Sequence, residues 1–172
     1  MGAVLSLGSS TTRAAPTVGA TAKDARAVDV DGRVLSLERM RGTTVFVVYE
    51  DKESGKQNQA LKRELEEWLS HDAKAHASVF VAPVADVSEY DSWPARGFVK
   101  DAIREESKKV GMTIWCDWDA SFRKTLDLAK GKSNVVVLGR DGRVLFAAEG
   151  ALSLEQRREA IAAAKREAAR TR

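Results

Sequence analysis

Three runs of this 172-residue chain read as strands buried on both faces: TTVFVVY over 43–49, SVFVAPV over 78–84 and SNVVVL over 133–138. Each places β-branched, aromatic or other apolar residues at consecutive positions, where a half-exposed strand would alternate with polar ones. Pro83 is expected to end the second run. Helical periodicity fills the intervals. After a polar loop at 50–57, Ala60, Leu61, Leu65, Trp68 and Leu69 recur at helical spacing to about Ser70. Pro94 opens a helix to about Val110, with Phe98, Ala102, Ile103 and Val110 as its apolar face and Gly111 as its stop.

Shorter elements complete the pattern. Residues 26–30 and 33–37, joined by Asp31 and Gly32, predict a β-hairpin, and residues 133–138 and 144–148, joined around Asp141 and Gly142, predict a second. A short strand is expected over 112–116. The helix after it carries Phe122, Leu126 and Leu128, with Asp119 or Ser121 as its cap. Ser153 and Gln156 form a capping-box pattern opening the last helix, in which Leu154, Ile161 and Ala164 lie near one face. Such alternation implies a central sheet, parallel in its middle and edged by the closing hairpin, with helices packed on it. Neither a repeat nor a linker interrupts the order. Residues 1–19 are therefore read as a flexible leader and residues 20–172 as one domain ending in a basic helix.

The net charge of +3 belongs to that last helix. Residues 157–172 hold six cations (Arg157, Arg158, Lys165, Arg166, Arg170 and Arg172) against Glu159 and Glu167, which leaves the first 156 residues at −1. The basic run either complements the helix dipole or meets an anionic surface. No motif accompanies it, so no nucleic acid is expected as a partner. No stretch approaches the roughly 18–20 apolar residues of a transmembrane helix. The N-terminus lacks the basic flank of a signal peptide, and Met1, Gly2 and Ser6 match a myristoylation pattern. One cysteine excludes an intramolecular disulfide, a Cys-rich zinc site and a Cys-x-x-Cys couple. With only His71 and His76 besides, neither a metal nor a cofactor is expected.

Particular motifs narrow the reading. Pro16, Thr17, Val18 and Gly19, followed by DVDGRVLSL at 29–37 and by Met40, Arg41 and Gly42, resemble the opening of the redoxin superfamily, which includes peroxiredoxins and membrane-tethered thiol reductases. KSNVVVLGRDGRVLF at 132–146, with EGALS at 149–153, resembles the narrower bacterial YtfJ family; GFVK at 97–100, SKK at 107–109 and the stretch from Trp115 to Asp117 fit it too. The likeness spans about residues 16–165. It implies an α/β, thioredoxin-like (redoxin-type) fold: a central mixed sheet flanked by helices, with an N-terminal β-hairpin and a C-terminal helix. It also implies a periplasmic setting, with the cytoplasm as the alternative if Met1 is the natural start.

In the redoxin pattern a reactive Cys-x-x-Cys follows the central strand at the start of the next helix, where unpaired N–H groups stabilise a thiolate. The matching positions here are Ser54, Gly55, Lys56 and Gln57, without either cysteine. The cis-proline that such folds place before the closing strand is matched by Ser133. Ser54 and Lys56 read as a nucleophile and its base, as a polar loop with a cap, or as an anion site at the helix start. Ser133 and Asn134 offer backbone groups to an extended peptide. Together Ser54, Gly55, Lys56, Gln57, Ser133 and Asn134 form the candidate binding pocket.

Other reactive side chains carry structural readings of their own. Cys116, the lone thiol, lies beside Asp117 on a different strand and reads as a small buried hydrophobe. Trp115 and Trp118 fill a core margin or mark a surface. Asp86, Glu89, Asp91 and Asp117 lack a coordination spacing. His71 complements a helix C-terminus, and His76 falls in the loop beyond it. The function expected is that of a thioredoxin-fold protein without dithiol activity that binds or assembles with a protein or peptide. The alternative is a thiol peroxidase or reductase relying on Cys116.

Overall fold

The computed structural model describes residues 15–170. Residues 1–14, with most of the expected leader and the Met1, Gly2 and Ser6 pattern, lie outside the described residues, as do Thr171 and Arg172. Seven strands form one mixed sheet: β1 (Arg26–Val28), β2 (Val34–Ser36), β3 (Thr44–Glu50), β4 (Val79–Asp86), β5 (Trp115–Asp117), β6 (Asn134–Leu138) and β7 (Val144–Glu149). Their order across the sheet is β2-β1-β5-β4-β3-β6-β7. The β3–β4 and β4–β5 pairs are parallel; β6 and β7 extend the sheet by antiparallel pairing on one side, and β1 and β2 on the other. The helices are α1 (Gln59–His71), α2 (Ala73–Ser78), α3 (Ala95–Val110), α4 (Ser121–Thr125) and α5 (Leu154–Ala169), with a 3-10 turn at Ser88–Tyr90.

The period of two along β3 divides the interior into two layers. Val45, Val47 and Tyr49 join Phe122, Leu126, Val136 and Leu138 on one face. Phe46 and Val48 join Leu61 and Leu65 of α1 and Ala160, Ala163, Ala164 and Ala168 of α5 on the other. The apolar run at 43–49 is thus explained by a strand covered twice. Burying an aliphatic or aromatic side chain of this size contributes about 1.5–3 kcal/mol. A smaller cluster of Val87, Cys116 and Trp118 lies at the β5 side, with Val99 and Ile103 of α3 against it.

Several local expectations are corrected. β4 continues through Pro83 to Asp86. β5 begins only opposite Val84, so at Pro83 the strand has β3 as its one neighbour, an edge-like place that tolerates a missing N–H. β5 itself starts at Trp115, not at Met112. His76 lies in α2, a helix capped by Asp72, whose side chain accepts from the Ala75 N–H at 2.9 Å. α3 packs through Val99 and Ile103, one turn apart, and leaves Phe98 73% exposed and Val110 44% exposed. Phe98 and Ala102 stand about 100° around the helix from that inner stripe.

The helix starts differ as well. α4 spans only Ser121–Thr125, and its first N–H groups, from Phe122 and Arg123, donate to Asp117 at 3.2 and 3.0 Å; Asp119 takes the Ser121 N–H. The capping box of α5 forms between Ser153 and Gln156. Its inner face is alanine, and Leu154 is half exposed. Pro16 to Gly19, the described end of the expected leader, runs to the margin of β7, where the Gly19 N–H donates to the Val144 carbonyl at 2.8 Å.

Candidate functional site

β3 ends at Glu50, and the chain turns through residues 51–57 before α1 begins at Gln59. The side chain of Asp51 organises that turn. Its Oδ1 accepts from the Ser54 N–H at 2.8 Å and from Ser54 Oγ at 2.7 Å, while the Asp51 N–H donates to Ser54 Oγ at 3.0 Å. Ser54 is fully buried, so its hydroxyl closes the turn and meets no solvent. Lys56 and Gln57 lie exposed on the outside of the same turn. The lysine and the buried serine are therefore not arranged as a base and its nucleophile.

Behind the turn lies a continuous polar network. Ser133, fully buried before β6, donates through Oγ to Glu50 Oε1 at 2.8 Å and through its N–H to Gln57 Oε1 at 3.0 Å. Asn58, also buried, donates to Ser133 Oγ at 2.8 Å and to the Gly150 carbonyl at 2.9 Å. Its Oδ1 accepts the Leu152 N–H at 2.9 Å. Lys62 donates to Glu50 and, at 3.0 Å, to the Gly55 carbonyl. The Gly150 N–H donates to the Ser133 carbonyl at 2.7 Å. Every buried polar group named here has a partner, so the network fastens β3, α1, β6 and the start of α5 to one another.

Of the six candidate pocket residues, the structure brings Gln57 and Ser133 into contact and sets Ser54, Gly55 and Lys56 in the adjoining turn. Asn134 turns elsewhere. Its amide donates to the Ala129 and Lys132 carbonyls at 2.9 and 2.8 Å and accepts the Ala129 N–H at 2.9 Å, shaping the loop before β6. Sequence reasoning missed Glu50, Asn58, Lys62 and Gly150. The one signal for Glu50 was an acid directly after an apolar strand; Asn58 and Lys62 looked like ordinary polar positions of a helix start.

Cys116 sits on β5, two strands from β3 and so roughly 10 Å across the sheet from the turn. It is 1% exposed. Burial pushes its thiol up to about 11, the Asp29 carboxylate adding to the effect while Lys100 and Arg96 oppose it. A nucleophilic cysteine needs the reverse of these conditions.

Next to it, Asp117 accepts from Tyr49 Oη at 2.9 Å, and the Tyr49 ring stacks on Phe122 with centroids 5.9 Å apart. Burial raises the Asp117 carboxyl above its ordinary range; the bonds from Arg123, Tyr49 and Phe122 lower it without reversing the direction. Burial and Asp117 likewise push the Tyr49 hydroxyl upward, so it remains a donor.

The other acids each have their own partner: Asp86 has Ser88 and Arg123, Glu89 has Lys130, and Asp91 has Arg96. Among the described residues no three His, Cys, Asp or Glu side chains gather as a metal site. Trp118 is buried beneath the Arg96 guanidinium, 4.5 Å from its ring, while Trp115 is half-buried against the core. His71 bonds through Nδ1 with the Glu67 carbonyl at 2.8 Å at the end of α1. Among the described residues no helix is long and apolar enough to cross a membrane.

Solved structures share this architecture. A protein from Bacteroides thetaiotaomicron provisionally assigned as a disulfide isomerase superposes with a TM-score of 0.61 at 18% identity, over 88% of this chain and 87% of that one. One from Chlorobium tepidum provisionally assigned as the thiol:disulfide interchange protein DsbE gives 0.59 at 18% identity, over 87% and 99%. The pneumococcal exposed lipoprotein thioredoxin Etrx1 from Streptococcus pneumoniae strain TIGR4 gives 0.57 at 13% identity, over 84% and 99%. The fold is thus thioredoxin-like, with one cysteine in the chain and no Cys-x-x-Cys. No curated protein sequence matches the chain. The family described as "Bacterial protein of unknown function (YtfJ_HI0045)" matches residues 70–167, more than half of the chain and including both Cys116 and Ser133, and the chain belongs to that family.

Proposed function

We propose that the chain is a binding module on a thioredoxin scaffold, without dithiol chemistry, whose partner is a protein or peptide meeting the turn that carries Lys56 and Gln57. One observation carries this reading. Where the fold would hold a redox pair, Asp51, Ser54, Gln57 and Ser133 form a closed set of hydrogen bonds, and the single thiol is buried two strands away. The scaffold keeps its shape there and lacks the reactive groups. The exposed side chains of Lys56 and Gln57 are what a partner would touch. By likeness to DsbE and the exposed lipoprotein thioredoxin, the same proposal places the protein outside the cytoplasm.

Two experiments test it. In an insulin-reduction assay the full chain and Cys116→Ala are expected to match the rate without protein; turnover by the native chain that the variant loses would overturn the non-redox reading. For the binding face, native chain and Lys56→Glu are used as baits in parallel. Loss of specific partners from the variant is expected, and an identical partner set argues that this turn is not the surface. An export-dependent reporter fused to the full reading frame tests the compartment, and an inactive fusion counts against it.

A further inference from the structure

The outer side of the α1–α5 pair carries a groove that neither the fold nor the candidate site uses. It has a volume of about 530 Å³ and is floored by Trp68, Ile161 and Ala162. Past Lys165 it adjoins a second hollow of about 330 Å³ reaching Ala168 and Ala169. Its two walls have opposite charge. α1 and the residue after it supply Glu64, Glu67 and Asp72; α5 supplies Arg158 and Lys165. The two helices also run in the same direction. Arg157 Nε meets Glu64 at 3.1 Å near both starts, the Lys165 ammonium lies 5.3 Å from the Trp68 ring further along, and Ala168 lines the far hollow together with Asp72.

Opposite charge on parallel helices decides how two copies can pair. Two copies meeting face to face are related by a two-fold axis lying in the interface. An axis across the helices lays α1 on α1 and α5 on α5, acid against acid and base against base. An axis along the helices lays α1 of each copy on α5 of the other, twice, at matching levels. Glu64 and Glu67 then face the second copy's Arg158, Asp72 faces its Lys165, and Trp68 and Ile161 of the two copies meet in the middle.

We propose that this face is the interface of a homodimer whose two-fold axis runs along α1 and α5, held by reciprocal α1-to-α5 charge pairing over the Trp68 and Ile161 floor. The argument is one of charge complementarity: the face is its own electrostatic complement in that orientation and repels itself in the other. α5 is about 24 Å long and α1 about 20 Å at 1.5 Å per residue. A patch two helices wide falls below the usual interface size of about 1,200–2,000 Å². The dimer is therefore weak, and its rim charges make it salt-sensitive.

Sedimentation equilibrium of the full chain up to about 500 µM, a range suited to a small interface, tests the proposal. A monomer–dimer equilibrium is expected that weakens roughly ten-fold on raising salt from about 50 to 500 mM. Glu67→Arg and Arg158→Glu, both at exposed positions, are each expected to weaken it by at least about ten-fold, and the double variant to return to within about three-fold of native. A chain monomeric throughout overturns the proposal. So does a dimer indifferent to both substitutions, a double variant no better than the singles, or a dimer lost instead in Phe98→Ala, at an exposed position of α3.

Discussion

Asn58, which is no part of the expected motif, ties distant segments of this molecule together. Its one amide joins Ser133, Gly150 and Leu152, and thereby ties the start of α1 to the loops flanking β6 and α5. Removing it leaves a buried N–H, a carbonyl and a hydroxyl short of a partner, each of which costs about 1–3 kcal/mol if no water replaces the bond. Asn58→Ala is expected to lower stability by about 2–4 kcal/mol, read as a shift of the urea midpoint at unchanged slope. A loss under about 0.5 kcal/mol, the size of an ordinary surface change, would show that the network is not what fastens these segments. Cys116 makes the opposite kind of prediction. With its thiol pushed up to about 11 and its surface 1% exposed, it should resist a disulfide reagent at pH 8 until denaturant opens the fold. Immediate labelling of native protein would place the sulfur within reach of solvent.

At the scale of elements, one carboxylate closes the turn of the β1–β2 hairpin. Asp29 Oδ1 accepts the Asp31 and Arg33 N–H groups at 3.0 and 2.8 Å, and Oδ2 pairs with the Arg33 guanidinium. Burial raises its pKa, but the bonds from Arg33 and Asp31 outweigh burial and hold it below the ordinary value of 3.8. A carboxyl lowered in the folded state binds its proton less readily there than in the unfolded chain. Its contribution is therefore present above 3.8 and is lost as pH falls through the folded value. Protection of the hairpin amides from hydrogen exchange, taken relative to the unstructured rate at each pH, should fall below about pH 4 in native protein and be low already at neutral pH in Asp29→Ala. Equal protection of the variant at pH 7 would remove Asp29 from this role. Asp117, whose carboxyl is raised, works with the reverse sign: its contribution weakens as pH rises from 3.8.

The hairpin also marks how far the sequence could be read. Asp31 and Gly32 announce the turn, and the unbroken apolar runs announce β3, β4 and β6, because burial on both faces leaves no other residue types acceptable. The inner face of α3 was not legible. Phe98 is a larger apolar residue than Val99, and nothing local says that the sheet takes the smaller one. The candidate site was legible as an address, in Ser54 through Gln57 and in Ser133, and not as a network. Asn58 reaches Gly150 across 92 residues of sequence, and no spacing rule connects positions so far apart.

For the whole molecule, the basic C-terminal run changes meaning once it is folded. Residues 157–172 read as a basic helix with Leu154, Ile161 and Ala164 near one face; in the fold its buried stripe is Ala160, Ala163, Ala164 and Ala168, set against Phe46, Val135, Val137 and Phe146. Alanine lets the α5 backbone lie close on the sheet, and the charges take the outer and end positions. Arg157 pairs with Glu64, and buried Glu167 accepts the Arg140 N–H at 3.0 Å and pairs with Arg170. Deleting residues 157–172 therefore exposes one face of β3, β6 and β7, where a surface tail would have left the core untouched. The shortened chain is expected to lose its cooperative thermal transition by circular dichroism and to bind a hydrophobic dye, as chains do when packing fails but secondary structure persists. Arg166→Gln, which changes the same charge on an exposed position, should leave stability within about 0.5 kcal/mol of native. A truncated chain that still melts cooperatively within about 5 °C of the full one would mean that the sheet closes its core without α5, and the electrostatic reading of this helix would then be the right one.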